Sequence, residues 1–178
     1  MRKPLAMLLV PAIALLAGCG SSSSNSTKSA ASTPAAPSTS STPAAGAVQI
    51  STRTLSGLGS VLVNAQGRTL YVFAPDKAKK VTCVGACASV WPPLALSAGQ
   101  KAVASGQAKS SLVGSDPNPA GGRVVTYAGW PLYTYVADSS PGTARGQALN
   151  LNGGLWYVIA PSGKLITKKA STGGASGY

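Results

Sequence analysis

The chain has 178 residues, enough for one ordinary domain, and sets 15 Lys and Arg against three acids for a formal charge of +12, with no histidine. Without histidine neither a Ser-His-Asp nor a Cys-His catalytic set can be assembled, and a zinc site has no imidazole to complete its ligands. The positive balance carries no aromatic-interleaved basic cluster, so no nucleic-acid role is read from it.

The first quarter is not domain material. Arg2 and Lys3 precede an apolar run from Leu5 to Leu15, and its 11 residues are too short to cross a bilayer core of roughly 30 Å. Residues 1–18 therefore read as a signal peptide. Leu16-Ala17-Gly18-Cys19 resembles the bacterial lipobox, which implies cleavage before Cys19 and acylation of its sulfur. Two or three acyl chains at about 0.8 kcal/mol per buried methylene hold a protein on a membrane lastingly. The alternative is an ordinary secretory peptide cleaved near Gly18, which leaves Cys19 as a free thiol. Gly20 after the Cys is not a retention-type Asp, so in a cell with two membranes the outer one stays open as a destination.

Residues 19–47 read as a disordered tether. Between Gly20 and Gly46 stand ten Ser, four Thr, six Ala and three Pro, with no branched aliphatic or aromatic side chain to bury. Such a coil spans roughly 30 Å end to end. Residues 48–169 remain for one β domain, followed by a Gly/Ser-rich flexible tail at 170–178.

Period-two patterns and turn residues dominate this domain, and no long stretch shows a 3.6 period. Val48 to Leu55 reads as an edge strand broken by Gly57 and Gly59. Ser60 to Val63 and Arg68 to Phe73 read as a hairpin around Gly67. Val81 to Trp91 holds a short helical turn between Cys83 and Trp91, stopped by Pro92-Pro93. Leu94 to Gly114 is uninformative. Arg123 to Tyr127, Ala128-Gly129 and Trp130 to Val136 read as a second hairpin; Leu155 to Ile159 and Lys164 to Ile166 read as a third.

One hexapeptide recurs. Tyr71-Val-Phe73-Ala-Pro-Asp76 and Tyr133-Thr-Tyr135-Val-Ala-Asp138 share the pattern Tyr-x-aromatic-x-x-Asp, each follows a Leu, and Trp91 and Trp156 lie 15 and 18 residues beyond the respective Asp. This is a duplication, with one repeat at about 58–96 and the other at about 122–166. The predicted fold is mostly β: two pseudo-symmetric hairpin repeats packed around Trp91, Trp130, Trp156 and the paired aromatics. All ten aromatic residues lie at or after Tyr71, which places the start of the core there.

The order LVNAQGRTLYVFAPD, C-x-G-A-C-x-x-x-WPPL, VTYAGWPLYTYVAD and GGLWYVIAPSG resembles a family of bacterial lipoproteins with a conserved Tyr-x-aromatic-x-x-Asp motif, a secreted repeat of unknown function. The resemblance covers about residues 58 to 166. It implies location and repeat architecture, and no activity.

Three constellations carry candidate chemistry. With Cys19 taken by lipid, Cys83 and Cys87 form an even pair in an oxidising compartment. The first reading is a structural disulfide contributing about 1 to 2 kcal/mol across so short a loop; the second is a redox-active or copper-binding pair, although three intervening residues depart from the thioredoxin-like spacing. Asp76 and Asp138 either accept backbone N–H groups of their own turns, or pair with Arg68, Arg123 or Arg145, or converge in one cleft as a cation site or acid/base pair. Tyr71, Phe73, Tyr133, Tyr135, Trp91 and Trp156 pack the core, or present a stacking surface for a flat ligand. Lys77, Lys79 and Lys80 form the one dense basic run, a solvated loop or a contact for anionic headgroups and cell-wall polymers.

The expected function is a non-catalytic, membrane-anchored module outside the cytoplasm that binds an anionic envelope polymer or another envelope protein. No cofactor, metal, catalytic residue or nucleic-acid partner is expected. The alternative is an accessory role in extracytoplasmic redox or metal handling.

Overall fold

The computed structural model describes residues 46–76 and 80–169. The signal peptide, Cys19, nearly all of the tether, Lys77, Lys79 and the 170–178 tail lie outside them. No helix among the described residues is long and apolar enough to cross a membrane.

The domain is mostly β. Strand β1 (Val48–Leu55) turns through Gly57 into β2 (Gly59–Asn64), and the two pair antiparallel from Leu55↔Gly59 to Ile50↔Asn64. Gly57 and Gly59 have φ of 71° and 85°, a region that only glycine enters without strain, so they make the turn rather than end the strand. The expected edge strand is corrected. Strand β1 is the centre of its sheet, because Val48–Ile50 also pairs in parallel with β5 (Ala102–Ala104) on its other side.

The expected hairpin of Ser60–Val63 with Arg68–Phe73 forms only at its closed end. Asn64 N–H donates to the Arg68 carbonyl at 2.9 Å and Leu70 N–H to that of Leu62 at 2.9 Å. Beyond Leu70 the chain leaves β2, and β3 (Tyr71–Phe73) pairs instead with β10 (Gly154–Ile159) of the other repeat.

The second hairpin repeats this division. Strand β7 (Arg123–Tyr127) turns through Ala128 and Gly129, both at positive φ as a two-residue hairpin turn demands, into β8 (Trp130–Pro131). Leu132 N–H still donates to Val125 at 3.0 Å, and then Tyr133 departs to meet Tyr71. The strand expected to run on to Val136 is thus split in the same way as its counterpart.

The third hairpin joins β10 to β11 (Leu165–Ile166) across Gly163, with β9 (Leu149–Leu151) on the other part of β10. The stretch read as uninformative supplies β4 (Ala95–Leu96), β5 and a single 3-10 turn at Ser110–Leu112. Strand β6 (Val113–Pro117) then pairs with β7, opposite β4. Helix α1 (Ala86–Val90) fills the predicted helical turn.

Two apolar clusters flank the first sheet. Leu55, Val61 and Val63 face one, with Tyr71, Trp91, Tyr133 and Trp156; Ile50 and Leu62 face the other, with Leu70, Leu132 and Tyr127. The core therefore begins before Tyr71. The six residues Ile50, Leu55, Leu58, Val61, Leu62 and Val63 are all buried, and each such aliphatic side chain contributes roughly 1.5 to 3 kcal/mol of transfer free energy. Nor do the three tryptophans form one centre: Trp91 and Trp156 share a cluster, while Trp130 is half-buried against the other.

Candidate functional site

The repeated motifs meet at a local two-fold relation between Tyr71 and Tyr133. Tyr71 N–H donates to the Tyr133 carbonyl at 2.8 Å and Tyr133 N–H to the Tyr71 carbonyl at 2.9 Å. One step along the same relation, Ala74 N–H reaches the Leu155 carbonyl at 2.8 Å and Val136 N–H that of Val90 at 3.1 Å.

The hydroxyls cross between the repeats. Tyr71 Oη donates to Asp138 Oδ2 at 2.6 Å, and Tyr133 Oη donates to Asp76 Oδ2. The remaining carboxylate oxygen of each Asp organises its own loop: Thr82 N–H and Oγ1 donate to Asp76 Oδ1, the former at 2.7 Å, and Arg145 N–H donates to Asp138 Oδ1 at 2.9 Å. The aspartate N–H groups close the turns, Asp76 onto Phe73 at 2.9 Å and Asp138 onto Tyr135 at 3.1 Å.

All four side chains have 0 % exposure. Burial pushes the Tyr71 phenol well above its ordinary range, and the Asp138 charge and hydrogen bond push it further. Burial raises the Tyr133 phenol likewise, followed by the hydrogen bond to Asp76 and its charge. Both therefore stay protonated and donate.

The aromatic residues form a stack that also crosses the repeats. Trp91 and Trp156 lie face to face at 3.8 Å with 3° between planes; Tyr135 covers the far face of Trp91 at 4.1 Å, and Phe73 stacks on Trp156 at 4.3 Å. Tyr71 meets Trp91 edge-on at 5.4 Å and Tyr133 meets Trp156 edge-on at 5.2 Å. Each such pair is worth about 0.5 to 1.5 kcal/mol beyond its buried area.

The sequence reading placed the carboxylates on backbone N–H groups of their own loops, and that is where one oxygen of each sits. It missed the tyrosine of the opposite repeat on the other oxygen, which leaves neither carboxylate open to a substrate or a cation. Of the arginines offered as partners, Arg68 donates to the Tyr135 carbonyl at 2.9 Å and Arg123 to Ser115 Oγ at 2.8 Å. Arg145 contributes only its backbone N–H. No group of three metal-ligating side chains occurs among the described residues.

Cys83 and Cys87 are joined, with Cα atoms 5.2 Å apart. Cys83 is 1 % exposed in the cluster around Trp91, and Trp91 N–H donates to the Cys87 carbonyl at 2.8 Å. The bridge thus fixes the helical turn that delivers Trp91. In the other repeat the β9–β10 hairpin delivers Trp156, whose Nε1 donates to Leu151 at 3.0 Å. The two delivery devices account for the unequal Asp-to-Trp spacings. Gly146 and Gly154 were also missed. A Cβ on Gly146 would lie 2.6 Å from Trp91 Cη2, and one on Gly154 would lie 2.8 Å from Phe73 Cε2. Neither has a counterpart glycine in the other repeat, so no internal comparison marks it.

The site defines a class: a duplicated β module whose halves are interlocked by reciprocal Tyr-to-Asp bonds and an aromatic stack, with its carboxylates spent inside. Residues 52–95 and 117–160 each match the model of a family described as a secreted repeat of unknown function, and the chain belongs to that family with two copies. The protein is extracytoplasmic. The chain is matched by no curated protein and by no solved structure.

Proposed function

We propose that the protein is a non-catalytic lipoprotein, held at the membrane through an acylated Cys19, whose two-repeat domain binds an anionic envelope polymer. One observation carries this reading. Asp76 and Asp138 are fully buried, so the 13 Lys and Arg side chains that remain once cleavage before Cys19 removes Arg2 and Lys3 are opposed by a single partly exposed acid, Asp116. A surface of one sign attracts polyanions over about a Debye length, roughly 8 to 10 Å at ordinary salt. An acidic envelope protein is the other partner that such a surface suits.

The test has two parts. Cys19→Ser moves the protein from the membrane fraction to the medium if the anchor is an acyl chain on that sulfur; retention in the membrane overturns the anchor. Binding of the full chain to soluble anionic polymer, weakened steeply by salt, is expected; equal retention of a neutral polymer would sink the charge argument.

A second reading, accessory redox or metal handling, is favoured only by the position of Cys83–Cys87 against the Trp91 stack. Resistance of that bridge to dithiol reductant in the folded protein, with no metal by elemental analysis, removes it.

A further inference from the structure

We propose that the groove beside Arg53 is a subsite for the phosphodiester of an anionic polyol polymer, an inference that rests on the polymer-binding reading above and locates it. Arg53 is exposed on β1, yet its side chain is cradled by backbone from both repeats. A Cβ added to Gly67 would lie 3.3 Å from Arg53 Nη2, and one added to Gly142 would lie 3.6 Å from its Cδ. Both glycines have positive φ, 73° and 83°, which disfavours a side chain at either place, and at Gly67 a Cβ would also crowd the guanidinium. A guanidinium held in this way loses less freedom on binding than one on a free stem.

No acidic side chain is left to neutralise it. The three acids of the sequence are placed elsewhere: Asp76 and Asp138 in the core, and Asp116 on β6 opposite Val124. The counterion of Arg53 comes from outside.

The surroundings name its chemistry. Arg53 borders a concavity of about 350 Å³ shared with Ser51, Thr52 and the Asn64–Gly67 turn. Asn64 Oδ1 already accepts Gln66 N–H at 3.0 Å and Arg68 N–H at 2.9 Å, which leaves the amide nitrogen as its donor. Guanidinium, the Ser51 hydroxyl and the amide form a donor-rich set with no carboxylate. It suits an anion flanked by hydroxyls and repels a cation. A planar fork takes two phosphate oxygens at once, which an ammonium cannot. The same turn also walls a second concavity of about 230 Å³ with Val48, Gln49 and Leu94. Two adjoining hollows along β1 accommodate consecutive units of a chain rather than one free ion.

The full chain is titrated calorimetrically with a soluble glycerol phosphate oligomer, beside Arg53→Gln, Arg53→Lys and Lys164→Gln. Lys164 is exposed in the β10–β11 turn, so its replacement measures general charge alone. The expected result is binding by the unaltered chain and a loss of about tenfold or more with Arg53→Gln. Arg53→Lys keeps most of that loss, and Lys164→Gln loses less than about threefold. Binding that Arg53→Gln and Lys164→Gln weaken alike overturns the subsite and leaves the polymer reading standing. No binding by the unaltered chain overturns both. Arg53-dependent adsorption to phosphatidylglycerol vesicles without uptake of the soluble oligomer overturns the polymer as source, since a lipid headgroup offers the same phosphodiester.

Discussion

Tyr71 and Asp138 stand 67 residues apart in the chain and meet at 2.6 Å in the core, the hydroxyl of one repeat donating to the carboxylate of the other. Tyr133 and Asp76 return the same bond. The hexapeptide that recurs in the chain is therefore the fastener between the two copies, and one copy alone has no partner for its hydroxyl or for the second oxygen of its carboxylate.

Tyr71→Phe removes the donor and leaves Asp138 buried with an unmatched oxygen. The expected loss is about 1.5 to 3 kcal/mol in a denaturant titration, the range for a hydrogen bond to a charged group. A double-mutant cycle of Tyr71→Phe with Asp138→Asn should give a coupling of about 1 kcal/mol or more. Additive losses would show that the two residues do not act on each other.

Stability should fall at alkaline pH. Both phenols are raised above their ordinary value near 10, so the folded state holds these protons more tightly than the unfolded one. Their contribution is whole below about pH 10 and is lost as pH rises beyond it. Phenolate absorbance should show two tyrosines that ionise only as the near-ultraviolet dichroism collapses. Titration of every tyrosine within the folded state contradicts this.

Reduction of Cys83–Cys87, or their joint replacement by Ala, should cost only about 1 to 2 kcal/mol, because the bridged loop is short. A melting point lowered by a few degrees with the β signature intact is expected. Complete unfolding on reduction would mean that the bridge, and not the stack it abuts, holds Trp91 in place.

Gly146→Ala should destabilise by about 1 to 3 kcal/mol, since its Cβ meets Trp91 Cη2 at 2.6 Å and Tyr71 Cε1 at 3.0 Å. Gly153→Ala meets nothing within 4 Å and suffers only from its φ of 86°, for about 1 kcal/mol. Tryptophan emission should shift in the first variant and stay constant in the second. Identical spectra would place the stack elsewhere than beside Gly146.

Much of the domain was readable without coordinates. The hairpins around Ala128-Gly129 and Gly163, the helical turn before Trp91 and the duplicated hexapeptide are local, and local patterns report turn chemistry and face alternation directly. The aspartate-to-backbone bonds are local too: Asp76 reaches Thr82 and Asp138 reaches Arg145 within seven residues. Strand partnership is not local. A period of two tells which side chains share a face, but not which strand lies alongside, so β3 was assigned to β2 when it pairs with β10. The burial of β1 and β2 rests on aliphatic side chains, which a count of aromatic residues does not register.

Residue order by itself determined that there are two copies and that each carries an aspartate just past its Tyr-x-aromatic strand, and it offered a disulfide between two cysteines four apart as the first of two readings. Tertiary structure alone decided that each tyrosine serves the other copy's aspartate and that each tryptophan is covered by the other copy's ring. A duplication specifies equal parts; the axis between them, and hence every contact made across it, exists only once the two halves have folded together.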